Sequence, residues 1–129
     1  MTTAWAPTIE RLEPASDPSA LIDVRPLLER MIAAYCPATI ARLLAVDKST
    51  IDHWGRGKQK ISPAMRSRIL EMHHVLSRVH QVFNPILAAR WLVGREPLLG
   101  GARPLDVLGL HGAAPVTDAL DAIASGGYA

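Results

Sequence analysis

Residues Thr39–Ser62 read TIARLLAVDKSTIDHWGRGKQKIS, and how this stretch folds decides how the chain is built. Ile40, Leu43 and Leu44 fall at helical spacing, so a short helix over about Ala38–Ala45 turns them inward. Ala41 is small enough to sit where two helices approach closely, and Leu44 and Val46 bracket a tight turn. The carboxylate of Asp47 is placed to accept from the free N–H groups of a following helix. That second helix turns Ile51 and Trp54 inward and ends at Gly55 or Gly57, where a left-handed residue costs little. Lys48, Ser49, Thr50, Asp52 and His53 are left on or near the exposed face, followed at once by Arg56, Lys58 and Lys60.

Outward from this pair, prolines and small polar residues mark further helices. Upstream, a helix is expected after Asp23, with Pro26 in its first turn and Leu27, Leu28, Met31 and Ile32 as its apolar stripe. It must stop before Pro37, because a residue preceding proline is pushed out of the helical region. Downstream, Ser62-Pro63 opens the longest helix, whose stripe (Met65, Ile69, Met72, Leu76, Val79, Phe83) recurs at four- and three-residue steps. The stripe can serve either a dimer contact or the core of one chain. Asn84-Pro85 starts another helix ending at Gly94, with Ile86, Leu87 and Trp91 expected on its buried face. A loop with Gly100 and Gly101, a short helix after Arg103-Pro104 and a last one from about Pro115 to Ser125 complete the reading. No internal repeat is evident and no stretch alternates strictly enough for a strand, so the expected class is all-α. The expected organisation is a flexible N-terminal arm over 1–22, broken by Pro7, Pro14 and Pro18, a helical domain over 23–83 and a C-terminal helical domain over 84–129.

Composition and charge narrow the function. Nearly half of the 129 residues are hydrophobic and few are aromatic, which suits a helical core of Leu, Ile, Val, Ala and Met. Residues 1–37 hold three Lys and Arg against five Asp and Glu, residues 38–90 nine against three, and residues 91–129 two against four. A basic middle between mildly acidic ends fits a polyanion contacted by the middle only, or equally a solvated basic face. Cys36 is the single cysteine and reads as a small apolar filler, so no internal disulfide is expected and the cytoplasm is the expected location. No basic segment followed by an apolar stretch is visible at the N-terminus, and no apolar run approaches the ~20 residues of a membrane span.

The chemistry of catalysis is not assembled. His73 and His74 are adjacent and point to different sides of a helix, while His80 lies two turns from His73, roughly 10 Å along the axis. No cysteine or acidic cluster joins them, so no metal site is expected and the histidines read as exposed or partner-facing. Ser49 and Ser125 lack a base arrangement, and Gly100-Gly101 carries no lysine at the offset a phosphate loop needs. The expectation is a non-enzymatic protein without a cofactor.

The stretch Thr39–Ser62 resembles an Xre-type helix-turn-helix: an alanine, two leucines, a turn, then a Ser-Thr helix and a tryptophan before glycine. It departs from that pattern at Ala45, where glycine is usual, and at Asp52, which puts a negative charge on the presumed reading face. A later stretch, Trp91–Gly112 (WLVGREPLLGGARPLDVLGLHG), resembles the C-terminal toxin-binding domain of Xre/MbcA/ParS-type antitoxins. The resemblance runs from about Ile40 to the end. It implies an Xre-like helix-turn-helix bundle followed by a small helical toxin-binding domain, in an antitoxin of a type II toxin–antitoxin system. It further implies a RES-type, NAD-consuming toxin as partner, operator DNA as a second partner, and a homodimer within a hetero-oligomeric complex. DNA contacts are expected from Lys48, Ser49, Thr50, Asp52, His53, Arg56 and Lys58. Toxin contacts are expected from Trp91, Leu92, Gly100, Gly101, Arg103, Pro104 and Leu105, and from the tail Gly126, Gly127, Tyr128 and Ala129. The tail offers a slender stem, an amphipathic ring and a terminal carboxylate, which suit the ring slot and cationic groups of a dinucleotide site. The alternative is a free-standing helix-turn-helix transcriptional regulator whose C-terminal domain only dimerises.

Overall fold

The computed structural model describes Leu12 and residues 23–126; the expected arm, Leu12 apart, and the tail residues Gly127, Tyr128 and Ala129 lie outside the described residues. Within them the chain forms seven α-helices and no strand, which bears out the all-α class. They are α1 (Arg25–Tyr35), α2 (Pro37–Leu44), α3 (Lys48–Gly55), α4 (Pro63–Val82), α5 (Pro85–Val93), α6 (Pro104–His111) and α7 (Ala113–Ala124). A single 3-10 turn, Pro97–Leu99, lies between α5 and α6.

Proline at the first or second position starts five of these helices, α1, α2, α4, α5 and α6, where its missing N–H is no loss. Ser62 accepts from Met65 N–H at 3.1 Å and Asn84 from Leu87 N–H at 2.8 Å, so both expected side-chain caps form. The expected cap at Asp47 does not: the residue is extended, but its side chain makes no capping bond, and its backbone carbonyl alone opens α3. α1 ends at Cys36, which carries φ 72° and ψ 154°. Pro37 demands an extended ψ there, and the positive φ is a conformation that residues with a Cβ rarely adopt. Cys36 is half-buried, with its Sγ 3.4 Å from Thr39 Oγ1.

α4 is the rod around which the rest is arranged, packing on α1, α2, α5 and α7, while α6 packs on α2, α5 and α7. Its stripe of Ile69, Met72, Val75, Leu76 and Val79 has no exposed surface. It is therefore spent inside the chain's own core and is not a dimer seam. Each such side chain contributes roughly 1.5–3 kcal/mol relative to exposure. The core is continuous from Val24 in front of α1 to Leu120 on α7.

Polar ties lock this packing. Arg68 of α4 donates through one Nη atom to Leu43 O at 2.8 Å and Gly109 O at 3.0 Å. These carbonyls lie in the last turns of α2 and α6, where intrahelical partners run out and the helix dipole is negative. Arg78 pairs with Asp121 at 3.0 Å, joining α4 to α7. His80, expected at the surface, is buried: its Nδ1 accepts from Leu12 N–H at 2.8 Å, and its Nε2 meets the Tyr35 hydroxyl. Burial pushes the Tyr35 phenol well above its ordinary range. His73 is likewise buried, and its Nε2 finds no hydrogen-bond partner among the described residues; His74 beside it is exposed.

Candidate nucleic-acid face and partner-binding face

The connection between α2 and α3 is Ala45-Val46-Asp47. Val46 N–H reaches Ala41 O at 3.0 Å and Ala45 N–H reaches Arg42 O at 3.2 Å, which together close a Schellman turn. The turn requires a left-handed residue, and Ala45 supplies it at φ 56°, ψ 44°. An alanine fits such a turn only by keeping φ negative or by accepting strain, and Ala45, with its positive φ, accepts the strain. The same device ends α3, where Lys58 N–H reaches His53 O at 2.8 Å and Gly57 N–H reaches Trp54 O at 3.1 Å. There the left-handed residue is Gly57, at φ 70°.

Between these turns, Ala41, Leu44, Ile51 and Trp54 are buried and Val46 is partly buried, as the spacing required. The indole N–H of Trp54 has no partner among the described residues. Lys48, Ser49, Asp52 and His53 are exposed and Thr50 is half-buried. Arg56, Lys58 and Lys60 continue the exposed surface. Arg56 Nε donates to Asp52 Oδ1 at 3.2 Å, one helical turn back. The acid on this face thus has a cation beside it, although an exposed pair of this kind contributes little to stability.

The C-terminal residues divide between core and surface. Leu92 and Pro104 are buried, so they support the unit from within and do not lie on its surface. Trp91 is half-buried against Phe83, ring centroids 5.5 Å apart, and Leu105, Gly101 and Gly94 are partly covered. Gly100, Arg103 and Gly126 are exposed. Gly100 and Gly101 both have positive φ, 66° and 83°, in the tight return of the loop.

The residue that organises this loop is not among those the sequence singles out. Glu96 is buried; its Oε1 accepts from Trp91 Nε1 at 2.8 Å and its Oε2 from Leu98 N–H at 2.7 Å. Its backbone N–H donates to Ala102 O at 3.1 Å, and its carbonyl accepts from Leu99 and Gly101 N–H, each at 2.9 Å. A carboxylate directly before a proline, in N-cap position, is the signal that could have found it.

The expected buried face of α5 is corrected. Ala88, Ala89 and Leu92 face the core, whereas Ile86 is 62% and Leu87 47% exposed. Val93, two turns from Ile86 on the same side, is exposed as well, with Arg90 between them. Leu98 and Leu110 add exposed apolar side chains in the following turn and on α6.

Compared with known protein families, with curated proteins and with solved structures, the chain finds no match. Among the described residues no group of three or more potential ligands could hold a metal ion, and no helix is long and apolar enough to cross a membrane.

Proposed function

We propose that this chain is the antitoxin of a type II toxin–antitoxin pair, a non-enzymatic cytoplasmic protein that binds and inhibits a RES-type, NAD-consuming toxin. In this reading it also represses its own operon through a helix-turn-helix formed by α2 and α3. The observation that carries the proposal is the apolar α5 face. Ile86, Leu87 and Val93 remain exposed on a chain whose long helix has already filled its own core. Large apolar side chains clustered at the surface mark a surface for a protein partner. The resemblance of Trp91–Gly112 to toxin-binding domains names the partner.

The chemistry of the other face supports the second role. α3 would enter the major groove with Lys48, Ser49 and Thr50 leading, while Arg56 and Lys58 meet phosphates. Asp52 would accept from a cytosine amino group, the base edge that suits a carboxylate. In the complex, α5 and the loop shaped by Glu96 supply the docking area, and the tail from Gly126 to Ala129 occludes the toxin's active site.

Co-expression with a RES-type toxin, followed by purification through a tag on this chain, tests the proposal. The wild-type chain should bring the toxin with it. Ile86→Asp/Leu87→Asp should lose it while keeping the wild-type circular dichroism, because both side chains are already exposed. A chain that forms dimers through the α5 face and never retains a toxin would instead be the free-standing regulator.

A further inference from the structure

The stretch from α5 to the start of α6 carries its charge unevenly. Residues 84–105 hold three cations, Arg90, Arg95 and Arg103, and one acid, Glu96. The acid is turned inward, buried and accepting from the Trp91 indole and the Leu98 N–H. All three arginines are exposed, and among the described residues none of them makes an ion pair. Arg90 lies one turn from Ile86 and one turn from Val93, so it stands within the exposed apolar stripe of α5. Arg95 and Arg103 flank the antiparallel bridge between Glu96 and Ala102, which sets both at the mouth of the loop that exposes Leu98. The face therefore presents Ile86, Leu87, Val93 and Leu98 among three cations, and residues 84–105 add no exposed acid to it.

Exposed apolar side chains interspersed with arginines are the composition of a protein interface. A second copy of the chain suits this face poorly. Two α5 helices paired about a two-fold axis would set Arg90, near the middle of the stripe, against its own copy. Duplex DNA offers anions but nothing apolar to cover Ile86 and Leu87. We infer that the face docks a protein partner whose own surface is apolar at its centre and acidic around it, with carboxylates opposite Arg90, Arg95 and Arg103. Guanidinium–carboxylate forks then fix the orientation of the partner, while the apolar centre supplies the burial. Naming that partner as the toxin rests on the proposed function; the chemistry of the face does not.

Two arms test the inference. In the first, two synthetic amphipathic helices share one leucine stripe and carry either glutamate or lysine on their polar sides. Each is titrated into the full chain while backbone amide resonances are followed. The acidic helix should shift residues 86–105 at about tenfold lower concentration than the basic one, and added salt should narrow the difference. Arg90→Glu/Arg95→Glu/Arg103→Glu should reverse the order; its side chains are exposed and unpaired, and circular dichroism confirms that it folds. Arg90→Gln, a milder change, should weaken the acidic helix alone. Equal affinity for the two helices, or no shift at this face with either, overturns the inference. In the second arm, the same variants are co-expressed with a RES-type toxin. Loss of the toxin from the triple variant makes the toxin the acidic partner. A toxin retained by the triple variant as by wild type overturns the inference and leaves the toxin reading standing. A toxin never retained by wild type, beside a clear preference for the acidic helix, removes the toxin reading only. A dimer of the chain that Ile86→Asp dissolves would put a second copy on this face and overturn the inference as well.

Discussion

Ala45 shows how much a single backbone conformation can cost. A left-handed alanine crowds its Cβ against the following carbonyl, by roughly 1–2 kcal/mol relative to glycine. Glycine gives back part of that through its freer unfolded chain, roughly 0.4–1 kcal/mol. Because Ala45 is exposed and no packing would be lost, Ala45→Gly should stabilise the chain by about 0.5–1 kcal/mol. A thermal melt followed by circular dichroism should then move up by a few degrees. A midpoint that falls would mean that the turn does not hold this residue left-handed. In the sequence this position is a choice between negative φ and strain, and the residues alone do not resolve it. The Schellman bonds that decide it depend on how α3 packs. Glu96 is legible only in part: its place before Pro97 marks a cap, but not its burial. Nothing local says that a carboxylate will be buried until Trp91 and the Leu98 amide are brought to it.

At the scale of elements, the helices are legible wherever polar caps and prolines mark them. Ser62-Pro63 and Asn84-Pro85 sit where the chemistry of a first turn requires, and α4's stripe has one unambiguous apolar side. α5 is different. Apolar residues occupy nearly every position from Ile86 to Val93, so periodicity carries no phase. The close neighbours α4 and α6 select the small Ala88 and Ala89 for the inner side, and the larger Ile86 and Leu87 are left outside. His73 and His80 lie inside, against expectation, because their helix is long and covered on several sides, a consequence of packing that no local pattern contains.

The seam between α4 and α1 also carries a pH dependence. Burial pushes the His73 imidazole down to about 4, with Arg30 and His74 adding to the effect. In the unfolded chain it titrates near its ordinary value of 6.5. Between those values the unfolded chain binds a proton that the folded chain refuses. Stability from this group is therefore complete above pH 6.5 and lost as pH falls towards 4, by at most about 3 kcal/mol. His73→Leu removes the loss, so urea melts of variant and wild type should diverge in the variant's favour as pH drops from 6.5 to 4. Parallel curves would show that His73 takes up its proton without disturbing the seam.

Taken whole, the molecule separates its surfaces by chemistry. One core runs from α1 to α7, with Arg68 binding α2 and α6 to the central helix. Polar and basic side chains of α3 and its following loop lie on the outside of the early helices, and α5 offers Ile86, Leu87 and Val93 later in the chain. The first surface is legible in the sequence as an excess of Lys and Arg over residues 38–90. The second is not, because an exposed leucine looks like a buried one in sequence. Under the proposed function the two surfaces bind DNA and toxin, and the tail beyond α7 does the inhibiting. A short tail contributes little of a standard interface, so its removal should uncouple binding from inhibition.

The rate of NAD consumption by the partner toxin tests this most directly, measured alone, with the full chain, and with a chain lacking residues 126–129. The account predicts that the full chain silences the toxin, and that the shortened chain still co-purifies with it but leaves NAD consumption close to the rate of free toxin. A toxin that consumes NAD equally fast with and without a saturating amount of the full chain would contradict it.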